Sequence, residues 1–138
     1  MKKLLLISIF LIMLLSACTV QSGAPIEPNE NNMIINVRNK ANFDFNGLGV
    51  AVLNHSLNMT NADGSKIEKG EELKFEFLKE DFDLNGEADM EVQILTGDNG
   101  ASIPLSQKVT FQLDDNKEIF YELTGDSIKD AVLKRVNE

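Results

Sequence analysis

Leu73-Lys74-Phe75-Glu76-Phe77 decides how this chain folds. Apolar and charged side chains alternate without a break. An extended strand puts Leu73, Phe75 and Phe77 on one face and Lys74 and Glu76 on the other. A helix would scatter the same residues around its axis. The stretch therefore predicts a strand with one buried face and one wet face, the mark of an antiparallel sheet lying on a core.

The same period recurs along the chain. Met33-Ile34-Ile35-Asn36-Val37-Arg38 places Ile35 and Val37 together, and Leu48 to Leu53 places Leu48, Val50 and Val52 together. Met90-Glu91-Val92-Gln93-Ile94, Val109-Thr110-Phe111-Gln112-Leu113 and Ile119-Phe120-Tyr121-Glu122-Leu123 repeat the pattern. Turn chemistry separates them: Asn61 to Ser65 with its Asp63-Gly64 pair, Gly97-Asp98-Asn99-Gly100, and Asp114-Asp115-Asn116-Lys117. Asp, Asn and Gly favour these positions because they bond to their own backbone or accept a left-handed conformation. The last segment reads differently. Asp126 or Ser127 caps a short helix from Ile128 to about Val136. Ile128, Val132 and Val136 form a stripe with Ala131 beside it, and Lys134 and Arg135 lie at the C-terminal end of the dipole. The expectation is an all-β, immunoglobulin-like antiparallel β-sandwich with a short C-terminal helix over residues 33–138. The Cys…Trp…Cys hallmark is absent, so the expectation concerns architecture. With no Trp and one Tyr, the core falls to Phe, Leu, Ile and Val.

Residues 18–32 hold two of the three prolines and few large apolar side chains, which reads as a flexible tether. What precedes it is more specific. Lys2 and Lys3 are followed by an apolar run from Leu4 to Leu15, broken only by Ser8, and then by Leu15-Ser16-Ala17-Cys18. This arrangement resembles a bacterial lipoprotein signal peptide with its lipobox. The resemblance implies that residues 1–17 are a leader and are removed. Cys18 then becomes the first residue of the mature chain, carrying thioether-linked diacylglycerol and further acyl chains such as palmitate. It also implies a lipid anchor in the cell membrane, with the domain on the extracytoplasmic face. Several acyl chains anchor far more firmly than one, at about 0.8 kcal/mol per buried CH₂. Cys18 is the sole cysteine, so the domain has no internal disulfide and depends on packing.

Taking Lys2 and Lys3 from the 13 basic side chains leaves 11 against 22 acidic ones, and the net charge moves from −9 to −11. Such a domain repels nucleic acid and anionic headgroups, so the membrane partner acts through the lipid on Cys18 and no nucleic-acid partner is expected. The charge also simply serves solubility.

One stretch resembles the start of an EF-hand calcium loop: Asp81-Phe82-Asp83-Leu84-Asn85-Gly86-Glu87-Ala88-Asp89. Asp81, Asp83 and Asn85 match the first three ligand positions, the carbonyl of Glu87 the next, and Asp89 the ninth. Val92 stands where a bidentate Glu belongs, and strands rather than helices flank the stretch. A non-helical calcium loop would need Glu80 or Glu91 to complete it. A plain strand connection uses the same residue types. His55 with Met59, and Met90, offers imidazole and thioether donors of the kind that hold Cu(I), though methionine is commonly core filler. There is no G-x-S-x-G, Walker loop, C-x-x-C or H-E-x-x-H, and His55 is the only imidazole. The sequence thus points away from an enzyme. It points to a lipid-anchored binding or interaction module with no cofactor except calcium. Its loops, Asp81 to Asp89 and Asp98-Asn99, would meet a protein, wall or small-molecule partner.

Overall fold

A computed structural model describes residues 25–97 and 101–137. The leader 1–17, Cys18 and the Asp98-Asn99 turn lie outside the described residues. The protein is all-β, with two sheets packed as a sandwich. One sheet, here sheet A, runs in the order β4 (Glu72–Leu78), β1 (Asn32–Asn39), β8 (Lys117–Thr124), β9 (Val132–Val136). The other, sheet B, runs β3 (His55–Thr60), β2 (Gly47–Val52), β5 (Asn85–Thr96), β6 (Ala101–Pro104), and β7 (Val109–Asp114) also pairs with β5.

The alternation read from the sequence becomes the division between core and surface. Leu73, Phe75 and Phe77 of β4 are buried with Ile35 and Val37 of β1 and with Ile119, Tyr121 and Leu123 of β8. Leu48, Val50 and Val52 of β2, Met90, Val92 and Ile94 of β5, and Phe111 and Leu113 of β7 belong to the same cluster. The chain enters at one pole. The Asn29 carbonyl accepts from the backbone amide of Asn116 and the Asn29 backbone amide donates to Asn32 Oδ1, while Asn32 Nδ2 donates to the Glu27 carbonyl. Among the described residues, hydrogen bonding to the domain thus begins at Glu27, inside the stretch read as tether. Asn32 lies opposite Leu78, and Met33 opposite Lys117, so this pole also holds the connections after β4 and before β8.

Two expectations are corrected. The sandwich is not purely antiparallel, because β1 and β8 pair in parallel, Met33 to Asn39 against Lys117 to Leu123. Alternation shows which face is buried but carries no information on the partner or its direction. The C-terminal helix is absent. Ser127 and Asp130 do form a capping box, but it closes only a 3-10 turn, Ile128–Asp130, and the chain then extends as β9 against β8. Ile128, Val132 and Val136 are spaced by four, an even number, so a strand aligns them as readily as a helix does. The deciding residue is Leu133, 4% exposed and opposite Leu123 in the core.

Tyr121 stands out in this core. It is 2% exposed and its hydroxyl has no hydrogen-bond partner among the described residues. Burial pushes the phenol above the ordinary tyrosine range, opposed in part by the charge of Arg135. Replacing it with Phe removes an unsatisfied polar atom, so Tyr121→Phe should hold stability level or raise it by about 1–2 kcal/mol. A raised phenol favours the folded state while it keeps its proton. Its contribution is complete below the unfolded value of about 10 and is lost as pH climbs from there through the raised folded value. Urea unfolding at neutral and strongly alkaline pH should show a decline in the wild type that is smaller in Tyr121→Phe. An equal decline in both would place the alkaline loss elsewhere.

Candidate functional site

The outer face of sheet B carries two adjoining depressions. Along β2 the residues between the core positions are Gly47, Gly49 and Ala51, which leave a shallow floor. On β5 the outward residues beside them are Gln93, Glu91, Asp89 and Glu87, and on β3 they are Asn58 and Ser56. Larger side chains fold over the floor. A Cβ on Gly49 would lie 2.4 Å from Asn58 Oδ1 and 2.6 Å from Gln93 Cγ, so both neighbours occupy the space the glycine leaves. Towards the pole where the chain enters, the floor opens into a depression of about 470 Å³ lined by Ala51, Leu53, Glu87, Ala88, Asp89 and Glu91. A second one of about 230 Å³ adjoins it and shares Ala51 and Glu91, with Ser56, Gln93 and Pro104.

The depression is acidic on one wall. Glu87, Asp89 and Glu91 are exposed and alternate along β5, so their Cα atoms lie roughly 7 Å apart. Lys108 Nζ sits 2.8 Å from Glu91 Oε1, and this bond, with the nearby charge of Asp89, holds its ammonium above the usual lysine range. Thr110 Oγ1 donates to Asp89 Oδ1 at 2.7 Å. The other wall ends in Leu53, 57% exposed with φ of 53°. A leucine in the left-handed region costs of order 1 kcal/mol, because its Cβ crowds the backbone.

Below the depression, His55 and the β4–β5 connection meet. His55 Nε2 is 3.3 Å from Asp81 Oδ2, both side chains being 37% exposed. The imidazole lies 5.5 Å from the Phe82 ring, which meets Phe77 edge-on at 6.0 Å. This surface contact between His55 and Asp81 is thereby tied to the core through two aromatic contacts.

The residues read as a calcium loop are divided between two settings. Asp81 faces His55 and Asp83 stays exposed in the connection. Asn85, Glu87 and Asp89 already belong to β5, paired with Asp114, Gln112 and Thr110. Only the first part of the stretch is a loop. Gly86, at φ of 89°, bends the start of the strand rather than the middle of a ring. Glu91 is paired with Lys108. No group of three or more His, Cys, Asp or Glu among the described residues is placed to hold a metal ion. Of the copper candidates, His55 and Met59 lie four apart on β3 and Met90 is buried in the core at 0% exposure.

Sequence reasoning passed over Gly49, Ala51, Leu53, Asn58 and Gln93. A signal was there: small residues at 47, 49 and 51 alternate with Leu48, Val50 and Val52, which marks a strand whose outer face is left low. No protein family matches the chain, and no curated protein matches it.

Proposed function

We propose that the chain is a membrane-anchored extracytoplasmic lipoprotein whose sandwich, immunoglobulin-like in architecture, is a non-enzymatic binding module. The observation that carries this is Leu15-Ser16-Ala17-Cys18 after a lysine-led apolar run, with that cysteine the sole one in the chain. The fold supports it in two ways. Among the described residues the domain's hydrogen bonds to its N-terminal segment begin at Glu27, nine residues after Cys18, so the lipid lies within about 30 Å of that pole. The opposite pole, holding residues 40–46, 61–71 and 125–131, then faces away from the membrane. The polar depressions on sheet B open to the side, where a protein, a wall component or a small ligand can reach them.

Metabolic labelling with an alkyne fatty acid tests the reading. Wild-type chain should carry label in the membrane fraction and lose it in Cys18→Ser, and protease added outside should cleave the domain. Label retained by Cys18→Ser, or unlabelled wild type in the soluble fraction, would overturn it. Calcium binding by Asp81, Asp83, Asn85, Glu87 and Asp89 remains the alternative use of the module and predicts thermal stabilisation at millimolar calcium. Because three of these residues are paired within β5, the expected result is the same melting temperature in calcium and in chelator. A rise of several degrees would favour the alternative.

A further inference from the structure

The edge of sheet A at β9 is closed by a side chain. Between β6 and β7 the chain departs from β5: Pro104 pairs with Gln93 and Val109 with Met90, so four residues, 105–108, stand opposite two. This bulge carries Gln107 across to the other sheet. Its Oε1 accepts from the Leu133 amide at 2.9 Å, and its Nε2 donates to the Leu133 carbonyl at 3.2 Å. A carboxamide has the donor and acceptor of a peptide unit, and these two bonds are the pair that a neighbouring antiparallel strand would make. Among the described residues β9 is otherwise paired on one side only, with β8.

We propose that Gln107 is an edge guard, holding the place of a strand and preventing a second copy of this chain from adding through its own β9. The self-pairing it blocks is fixed by which groups point outward. Leu133 would sit opposite Leu133 of the second copy on a two-fold axis, each donating to and accepting from the other, as Gln107 does now. That register sets Lys134 opposite Val132 and Arg135 opposite Ala131, with no like charges directly opposed. Val132 and Leu133 supply apolar contact on the two faces. What opposes it besides Gln107 is charge: Lys134 and Arg135 stand on the strand itself, and each chain carries a net −9. Exposed edges are a general hazard, and an edge satisfied by a side chain is one way of managing them.

Sedimentation velocity of the full chain in non-ionic detergent tests this at low salt and at ~1 M salt, where screening leaves a Debye length of about 3 Å. Wild type should sediment as a monomer in both. Gln107→Ala should form dimers, more strongly at high salt, and exchange its Leu133 amide about 10-fold faster when monomeric. Gln107 is half-buried in a bulge, so the variant should fold, which circular dichroism verifies. Two second-site variants read the register. Adding Val132→Glu to Gln107→Ala puts a carboxylate opposite Lys134 and should strengthen the dimer, whereas adding Val132→Lys should abolish it. A folded Gln107→Ala that stays monomeric at both salt concentrations overturns the proposal. So does a wild type that dimerises as readily, or equal effects of Val132→Glu and Val132→Lys.

Discussion

Phe77→Ala should destabilise the domain by about 3–5 kcal/mol, enough to lower its melting temperature by roughly 15 °C or more. Phe77 is 1% exposed and lies opposite Met33 in the β1–β4 ladder, where a cavity has buried walls on both sheets and little freedom to collapse. It also has a second role. Its ring meets Phe82 edge-on, and Phe82 leans on His55, so the core reaches the pole through these three rings. Losing Phe77 should therefore loosen residues 81–84 beyond the global loss, seen as faster amide exchange there than in β7 or β8. The control is on the same strand. Lys74 points outward and pairs with Glu118 at 3.2 Å, with 39% and 24% of the two side chains exposed. Lys74→Ala should cost no more than about 1 kcal/mol. Comparable losses from the two substitutions would mean that alternation does not divide core from surface here.

That division is the part of the fold most legible in the sequence, because burial on a sheet repeats every two residues and each side chain reports its own face. The strands carrying Phe75 and Phe77, Val92 and Ile94, Phe111 and Leu113, and Ile119 and Leu123 lie where that period sets them, whereas β1 is buried on both faces, Ile34 and Asn36 as fully as Ile35 and Val37. Strands with little apolar contrast were not legible. β3 alternates His55, Leu57 and Met59 with Ser56, Asn58 and Thr60, and its inward side chains are only half-buried at a sheet edge. β6 is exposed throughout and ends at Pro104. Pairing was not legible either, since no local feature tells Met33 that Lys117 lies beside it. The candidate site suffers from the same limit. Asp81 to Asp89 is conspicuous as a run of oxygens, yet the residues that line the depression come from β2, the turn after it and β5, and only the β2–β5 register brings Ala51 opposite Glu91. Chemistry that converges across strands leaves no spacing in the chain.

The two glycines on that face separate architecture from site. Gly47→Val should destabilise the domain by roughly 2–3 kcal/mol, through overpacking that the neighbours cannot relieve. A Cβ there would lie 2.4 Å from the carbonyl oxygen of Met59 and 2.6 Å from Thr60 Cγ2, with Leu95 Cδ1 at 3.2 Å. The first of these is backbone, and Gly47 pairs with Thr60 in the same ladder, so relief requires spreading β2 from β3. Gly49 is as crowded by distance but not by kind. Its nearest atoms, Asn58 Oδ1, Gln93 Cγ and Gln93 Nε2, all belong to the ends or middles of polar side chains that can swing outward into solvent. Gly49→Ala also gains about 0.4–1 kcal/mol from a stiffer unfolded chain, so its net effect on stability should be near zero. Its effect falls on shape instead: Asn58 and Gln93 lose the hollow they share and move over Ser56 and Glu91. Urea unfolding should rank Gly47→Val well below Gly49→Ala. A crystal structure of Gly49→Ala should show the core unchanged and the side chains of Asn58 and Gln93 displaced. If Gly49→Ala unfolds as readily as Gly47→Val, the low floor of sheet B is a packing requirement of the sandwich. If it folds normally with the hollow filled, it becomes the variant with which any ligand of this face can be lost while the scaffold is kept.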